Sequence, residues 1–471
     1  MWVAACAVAV SAIAFYFCTG FNHVWFAAWI APIPVLALAF RTSRWLYRWT
    51  PFAAYLLGTA HVFGYLHLFA PVWVVITELI LLAGVFQLCA SLARFSARRL
   101  PEWAAVWTFP AAWIIYEFLF ASLTSNGTAF NYGYSQLDFL PVLQIASVTG
   151  IWAISFTVML FASIMALVWT TQRIIPLTPA ILFVIAVFAV GLVRLRDHPG
   201  GGPALTVGMV TADAGLGASW RTQDPQRAMS VANEYSDRIE RLAARGAQLV
   251  VLPEKFLGVT PADQKQVYSI FSDSAREAHA MVIAGFNFIG IHPPRNIAVV
   301  FAPDGHVVLT YDKHHMLPGP ETGYLVGEQP AFFSIDGHKC GVEICKDLDF
   351  PAWSRRYGRQ DIQFLAVPAW DFVVDAYLHG RMATLRGVEN GFTVIHVAQE
   401  GLLYITDAYG RVLAERKSFS APDVMFVYAA PAGPGTTMYS RIGDWFAIAA
   451  IAALVGLLAV SATRPKNTMW V

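Results

Sequence analysis

Charge is scarce in this chain. Only 13% of its 471 residues are Asp, Glu, Lys or Arg, against about a quarter in an ordinary soluble protein. The mean hydropathy is +0.52, which excludes a plain soluble enzyme. The 32 basic and 31 acidic side chains leave a formal charge of +1, so there is no cationic field to recruit a nucleic acid. Cysteine is scarce too. Cys6, Cys18, Cys89, Cys340 and Cys345 are odd in number and irregularly spaced, which excludes a disulfide framework and a zinc-ligand pattern. Cys340 and Cys345 lie too far apart along one expected strand to be bridged. The start, Met1-Trp2-Val3-Ala4, lacks the basic segment of a secretory signal, so the first apolar run is expected to be retained. No repeat or low-complexity tract stands out. Length alone allows about three domains.

What the chain has instead is long apolar runs. They fall at roughly 2–18, 22–40, 52–70, 72–93, 104–123, 151–169 and 177–193, with an eighth from Trp445 to Ala462. Each is near the ~20 residues a helix needs to cross ~30 Å of hydrocarbon. Basic residues cluster after alternate runs: Arg41, Arg44 and Arg48, then Arg94, Arg98 and Arg99, then Arg173, then Arg464 and Lys466. The positive-inside rule puts these on the cytoplasmic side together with both termini, and residues 195–440 on the opposite side. The expected organisation is seven transmembrane helices over 1–195, a folded domain over 203–430, an eighth helix over 444–463 and a cytoplasmic tail over 464–471. Glu78 and Glu117 fall in or near apolar runs, where a carboxylate is either functional or hydrated at a helix end. The polar and aromatic connection Ser122–Gly150 is either a re-entrant link or the lining of a lipid path. The runs show no breaks or pairs, which disfavours a transporter.

Between the seventh and eighth runs the pattern changes. Short apolar strands alternate with amphipathic helices, such as Pro225 to Arg245, and hairpins accumulate later, at Pro303-Asp304-Gly305, Asp336-Gly337 and Asp407–Arg411. This is a mixed α/β sandwich, with helices covering packed sheets. Three strands run out at reactive side chains. Gln248–Pro253 ends at Glu254, Val307–Asp312 ends at Lys313, and the alternation Cys340, Val342, Ile344 ends at Cys345. A thiolate is a nucleophile, but a free thiol is largely protonated at neutral pH. Glu254 is placed to take its proton. Lys313 and the backbone N–H after Cys345 are placed to stabilise an oxyanion, and a nearby ammonium lowers a thiol pKa. Attack on an ester or amide gives an acyl-thioester, which water or an amine discharges, with no metal or organic cofactor required. His314 and His315 lack a third ligand pattern. Taken singly, a strand-end cysteine is more often packing, a glutamate a cap and a lysine a solvated loop residue. The order Glu, Lys, Cys at three strand ends carries the reading.

Leu252-Pro253-Glu254, Tyr311-Asp312-Lys313-His314-His315 and Gly341-Val342-Glu343-Ile344-Cys345 resemble the three signatures of the nitrilase superfamily, whose fold is an αββα sandwich. The resemblance covers about residues 203–430. It implies Glu254 as base, Lys313 as oxyanion stabiliser and Cys345 as nucleophile, with Glu321 matching the second glutamate that positions the lysine and substrate. Arg386-Gly387-Val388-Glu389-Asn390-Gly391 is similar to a later structural helix of that superfamily. A nitrilase-like domain inserted before a last transmembrane helix resembles the apolipoprotein N-acyltransferase family. Tyr132-Gly133-Tyr134-Ser135-Gln136, with Pro141, Gln144 and Gly150, is similar to that family's periplasmic connection, and Trp220 to a tryptophan after the first strand.

The family resemblance implies a bacterial inner-membrane protein, acting as a monomer. It would pass a fatty acyl chain from a phospholipid, through Cys345, to the N-terminal amine of a diacylglyceryl-cysteine lipoprotein. Phe256-Leu257-Gly258, Met316-Leu317-Pro318-Gly319 and Trp370-Asp371-Phe372-Val373-Val374 are candidate lid stretches, or ordinary loop aromatics. Two places depart from the family pattern. Cys345-Lys346-Asp347 stands where Cys-Tyr-Glu is usual, and Val367-Pro368-Ala369-Trp370-Asp371 where Ser-Asn-Asp-x-Trp is usual. Lys346, a second cation beside the thiol, is expected to depress its pKa; Asp347 and Trp370 are expected to support the site. The competing readings are a membrane-anchored amidase or an acyltransferase for another amine, and a catalytically silent lipid- or lipoprotein-binding protein.

Overall fold

The computed structural model describes residues 2–41, 45–197, 203–212 and 219–465. Arg44 and Lys466, counted above among the basic residues, lie outside them, as does most of the expected tail. The chain divides into two units, Met1–Arg196 with Ile442–Val471, and Asp197–Arg441.

In the first unit five helices are long and apolar enough to cross a membrane: Val72–Ala97, Glu102–Leu123, Trp152–Thr171, Ile175–Arg194 and Trp445–Thr463. The first run is a 17-residue helix, Trp2–Cys18. The second and third runs are interrupted, contrary to expectation. One divides into Trp25–Ile30 and Ile33–Arg41, where Pro32 has no N–H to continue the helical ladder. The other is Thr50–Thr59, a 3₁₀ turn at Ala60–Val62, and Phe63–Leu66. The premise that set a transporter aside is therefore wrong, since broken helices do occur here. Glu117 is buried, and its Oε1 accepts the Tyr132 N–H at 2.7 Å. Tyr132 in turn donates its hydroxyl to Ala28 O at 2.9 Å, and Gln136 Oε1 takes Trp29 Nε1–H at 2.9 Å. The 122–150 connection is thus pinned into the helices by its polar side chains.

The second unit holds two six-stranded runs of sheet. The first has the order β13-β1-β2-β4-β5-β6, from β1 (Leu205–Thr211), β2 (Leu249–Val251), β4 (Met281–Phe288), β5 (Arg295–Phe301), β6 (Val307–Asp312) and β13 (Val424–Ala430), with β3 (Leu257–Val259) paired to β4. The second has the order β12-β11-β10-β9-β8-β7, from β7 (Ala331–Ile335), β8 (His338–Val342), β9 (Phe364–Trp370), β10 (Thr393–Gln399), β11 (Leu402–Thr406) and β12 (Val412–Lys417). The central strands β1-β2-β4 and β8-β9-β10 run parallel.

Their apolar residues serve two cores, because successive side chains point to opposite faces. Val207, Met209, Leu249, Val251 and Ile283 pack between the sheets against Val342, Ile344, Ala366 and Val394. Val210, Val250, Leu252, Val282 and Phe286 face outward, under helices Pro225–Ala243 and Gln264–Ala278. Pro351–Gly358 and Ala376–Asn390 are the helices associated with the second sheet. The layers are α, β, β, α, as expected. Strands covered on both faces need unbroken apolar runs, which is what β2 and β4 supply.

Three expectations fail in detail. Phe256-Leu257-Gly258 is no lid, since Phe256 and Leu257 are buried and β3 pairs with the sheet. The strand β12 is the return arm of the hairpin expected at Asp407–Arg411, but β13 follows it unannounced. The cysteine strand stops at Val342, and Cys345 opens a 3₁₀ turn over Cys345–Asp349.

Gly285 fixes the height of the Glu254 turn over β4. A Cβ there would lie 2.3 Å from Pro253 O and 2.8 Å from Glu254 Cα. We expect Gly285→Ala to cost about 1–3 kcal/mol by overpacking and to displace Glu254. A thermal melt of the detergent-solubilised protein, showing a lowered transition for this domain, checks it.

Candidate active site

The two sheets stack with their strand ends together, and this gathers the three strand-end side chains. Lys313, at the end of β6, reaches in to place Nζ 2.8 Å from Glu254 Oε1 and 2.9 Å from Glu321 Oε2. All three side chains are about 98% or more inaccessible. Asn296 of β5 donates through one Nδ2 to Glu254 Oε1 at 2.6 Å and Glu321 Oε1 at 2.7 Å. The Leu317 N–H adds to Glu321 Oε2 at 2.8 Å. Gln399 at the end of β10 donates to the Glu254 carbonyl at 2.6 Å, and Glu254 N donates to Ala369 O at 3.3 Å. The turn bearing Glu254 is therefore clamped between the two sheets.

Burial is the largest influence on the Lys313 and Glu321 charges and opposes both. The Glu254 and Glu321 carboxylates nevertheless hold Lys313 protonated well above its ordinary range. Lys313 and Lys255 hold Glu321 well below the usual carboxylate range. Among the described residues the donors on the Glu254 side chain converge on Oε1, which leaves Oε2 to take a proton.

Cys345 sits beside this cluster at φ +46°, a left-handed conformation that costs a non-glycine residue of order 1 kcal/mol or more. Its Sγ lies 3.6 Å from Trp370 O, at the end of β9. Burial first, then the Glu254 and Asp371 charges, push its thiol well above the ordinary range; Lys313 pulls the other way without prevailing. The expected depression by a second cation does not occur. Lys346 is itself buried and bound to Asp349 Oδ2 at 2.9 Å. The resting thiol is neutral.

The supporting residues expected from sequence are all in this region, in different roles. Asp347 is a clasp. Its Oδ1 accepts the N–H groups of His314 and His315 at 3.2 and 2.7 Å and His315 Nδ1 at 3.1 Å, while Oδ2 takes Tyr311 OH at 2.6 Å and the Ile344 N–H at 3.1 Å. It ties the Lys313 loop to the turn that carries Cys345. His314 and His315 stack on Trp353 and Phe350, with centroids 3.7 and 3.6 Å apart. Trp220 and Trp370 meet edge to face at 5.3 Å.

Sequence reasoning missed Lys255. Its Nζ lies 2.5 Å from Glu321 Oε1 and 5.8 Å from each of the Trp220 and Trp370 rings. It directly follows Glu254, and its φ of +47° turns it back toward the cluster; adjacency was the only signal. Asn296 was missed because it stands just ahead of the apolar run Ile297–Phe301; a lone amide next to that run was the signal. Asp371 and His379 were also missed as site residues. With Cys345 they place one side-chain atom each within 4.8 Å of one another. His379 Nδ1 donates to Asp371 Oδ1, so the pair satisfies itself and reads as a charge cluster rather than a metal centre.

Comparison with known proteins bears on both units. Residues 11–164 match the family model for the Apolipoprotein N-acyltransferase N-terminal domain, and residues 212–427 that for Carbon-nitrogen hydrolase. A protein of Geobacter metallireducens named Apolipoprotein N-acyltransferase is 26% identical over 394 residues, covering 76% of this chain and 74% of its own. Proteins of the same name from Pseudomonas putida (26% identical, 83% and 85% covered) and Nitrosomonas europaea (23%, 93% and 95%) align over more of the chain. Among solved structures, an amidase from Nesterenkonia sp. is similar, with 19% identity, a TM-score of 0.43, and coverage of 53% of this chain and 98% of that one. Matched in its N-terminal helices and again in its α/β domain, and aligned to those relatives across most of its length, the chain belongs to the apolipoprotein N-acyltransferase family.

Proposed function

We propose that this protein N-acylates lipoproteins, moving a fatty acyl chain from a phospholipid to the N-terminal amine of a diacylglyceryl-cysteine by way of a thioester on Cys345. The family and the name of its relatives support lipoprotein N-acylation. The observation that carries the chemistry is the buried Glu254–Lys313–Glu321 cluster beside a strained, neutral Cys345.

The first step begins as the Cys345 S–H proton passes to Glu254 Oε2 and sulfur attacks the donor ester carbon. Lys313 stabilises the tetrahedral oxyanion. The C–O bond breaks, and Glu254 returns its proton to the departing lysophospholipid alkoxide. In the second step the acceptor nitrogen attacks the thioester, its proton goes to Glu254, the C–S bond breaks, and sulfur regains a proton. Glu321 keeps Lys313 charged and aimed throughout.

The membrane unit supplies the context. We infer eight crossings, seven in 1–195 and one in 444–463, with residues 203–430 as an extracytoplasmic domain of a bacterial inner-membrane protein and 464–471 as a cytoplasmic tail. The five long apolar helices and the arginines that follow alternate runs support this. Exposing an acyl chain to water costs about 0.8 kcal/mol per CH₂, so an enzyme acting on such chains gains from its own anchorage in the bilayer.

Intact mass spectrometry after incubation with phospholipid tests the reading. Wild type should carry one fatty-acyl adduct, labile to hydroxylamine, and a diacylglyceryl peptide should discharge it with the acyl group recovered on the peptide amine. Undiminished adduct on Cys345→Ala would sink the mechanism, and recovery only as free acid would favour a hydrolase.

Lys313→Met should build no adduct. It should also destabilise the domain by about 3–5 kcal/mol, because two carboxylates stay buried without their shared partner. A melt of this variant against wild type gives the second quantity. Glu254→Gln should block the adduct while melting closer to wild type, since it removes a charge rather than stranding two.

A further inference from the structure

The sulfur has a second charged neighbourhood, which the mechanism above does not use. Cys345 Sγ, a carboxylate oxygen of Asp371 and a ring nitrogen of His379 lie within 4.8 Å of one another. His379 Nδ1 donates to Asp371, and His379 Nε2 stands 3.9 Å from Asp349 Oδ1. Asp349 binds Lys346 at 2.9 Å. Lys346, Asp349, His379 and Asp371 thus form a row of alternating charge that ends at the sulfur. Lys255, Glu321, Lys313 and Glu254 form another.

Asp371 is the member of the new row that bears on the thiol. Its side chain is fully buried, and its Oδ2 has no hydrogen-bond partner among the described residues. The backbone locks it in place: Asp371 N donates to Gln399 O at 2.9 Å, and the preceding residue, Trp370, accepts from Cys345. An uncompensated carboxylate at this distance opposes ionisation of a thiol. The groups facing His379 are Asp371, Asp349 and Asp375, with His396 at 6.2 Å between rings and Tyr404 beyond it. Burial works against the imidazolium, but the three carboxylates outweigh it and hold His379 protonated up to about 9.

We propose that Asp371 and His379 are a positioning pair that sets how readily Cys345 ionises, with the imidazolium of His379 cancelling the carboxylate charge held beside the sulfur. This rests on the reading of Cys345 as the nucleophile. It assigns both residues an electrostatic role and no contact with substrate.

The test is the pH dependence of Cys345 alkylation by iodoacetamide in the full-length protein in detergent, followed at that site by peptide mass spectrometry. His379→Gln keeps a hydrogen-bond donor to Asp371 and removes the charge. It should slow alkylation about tenfold near pH 8, an effect of one pK unit. Adding Asp371→Asn should return the rate to within about threefold of wild type, because the charge that needed cancelling is gone. Wild type and His379→Gln should converge above pH 9, where His379 loses its own proton.

A His379→Gln profile that overlays wild type overturns the proposal, and so does a double variant no faster than His379→Gln. A merely structural role would not be rescued by a second substitution at its partner. The outcome is separable from the proposed function: an acyl adduct on Cys345→Ala would refute the thioester route and leave the alkylation result standing.

Discussion

A charged lysine side chain with almost no access to water is the constraint from which the rest of this domain follows. Lys313 is stable there only because two carboxylates meet it at hydrogen-bond distance. Those carboxylates are buried in turn and call for further donors, which Asn296, Lys255 and the Leu317 N–H supply. Such a network adds little to stability over well-packed apolar groups. Its retention in a core otherwise made of Val, Ile, Leu and Phe argues that it is kept for chemistry. The αββα stack serves that end, because Glu254 and Lys313 reach the cluster from one sheet while Gln399 and Ala369 hold the Glu254 turn from the other.

Cys345, the proposed nucleophile, is held in the opposite condition, strained and uncharged. A positive φ at Cys345 aims the sulfur out of the strand line, and Asp347 holds that turn against the Lys313 loop. A neutral thiol is a poor nucleophile, but it is also slow to oxidise. On the proposed reading the sulfur gives up its proton only as it attacks, when Lys313 can meet the oxyanion that forms.

Much of this was legible in the sequence. The apolar alternation in Cys340, Val342 and Ile344 and the unbroken apolar run Leu249–Leu252 located strands whose ends carry the site. Asp336-Gly337 gave its hairpin, both residues taking positive φ. The features that escaped are those that depend on which strand lies beside which. Lys255 and Asn296 become site residues only when β2, β4 and β5 are neighbours. Asp371 and His379 are eight positions apart, across a loop that no periodicity describes. The thiol was expected to be acidified by nearby lysines; burial decides otherwise, and burial is a tertiary quantity. The breaks near Pro32 and at Ala60–Val62 were hidden because hydropathy averages over a turn of helix.

The departures from the family pattern are connected through the same electrostatics. A lysine in place of tyrosine at 346 is buried and needs a counter-charge, which Asp349 provides three residues on. Asp349 also faces His379, and His379 is held by Asp371, within the second stretch that departs. A charge introduced beside the cysteine is thus balanced across the turn, the helix Ala376–Asn390 and the end of β9, and the sulfur at the centre keeps a neutral surrounding. Neutralising one of these positions alone would leave the others with an uncompensated buried charge, so substitutions among them are expected to be strongly non-additive in stability.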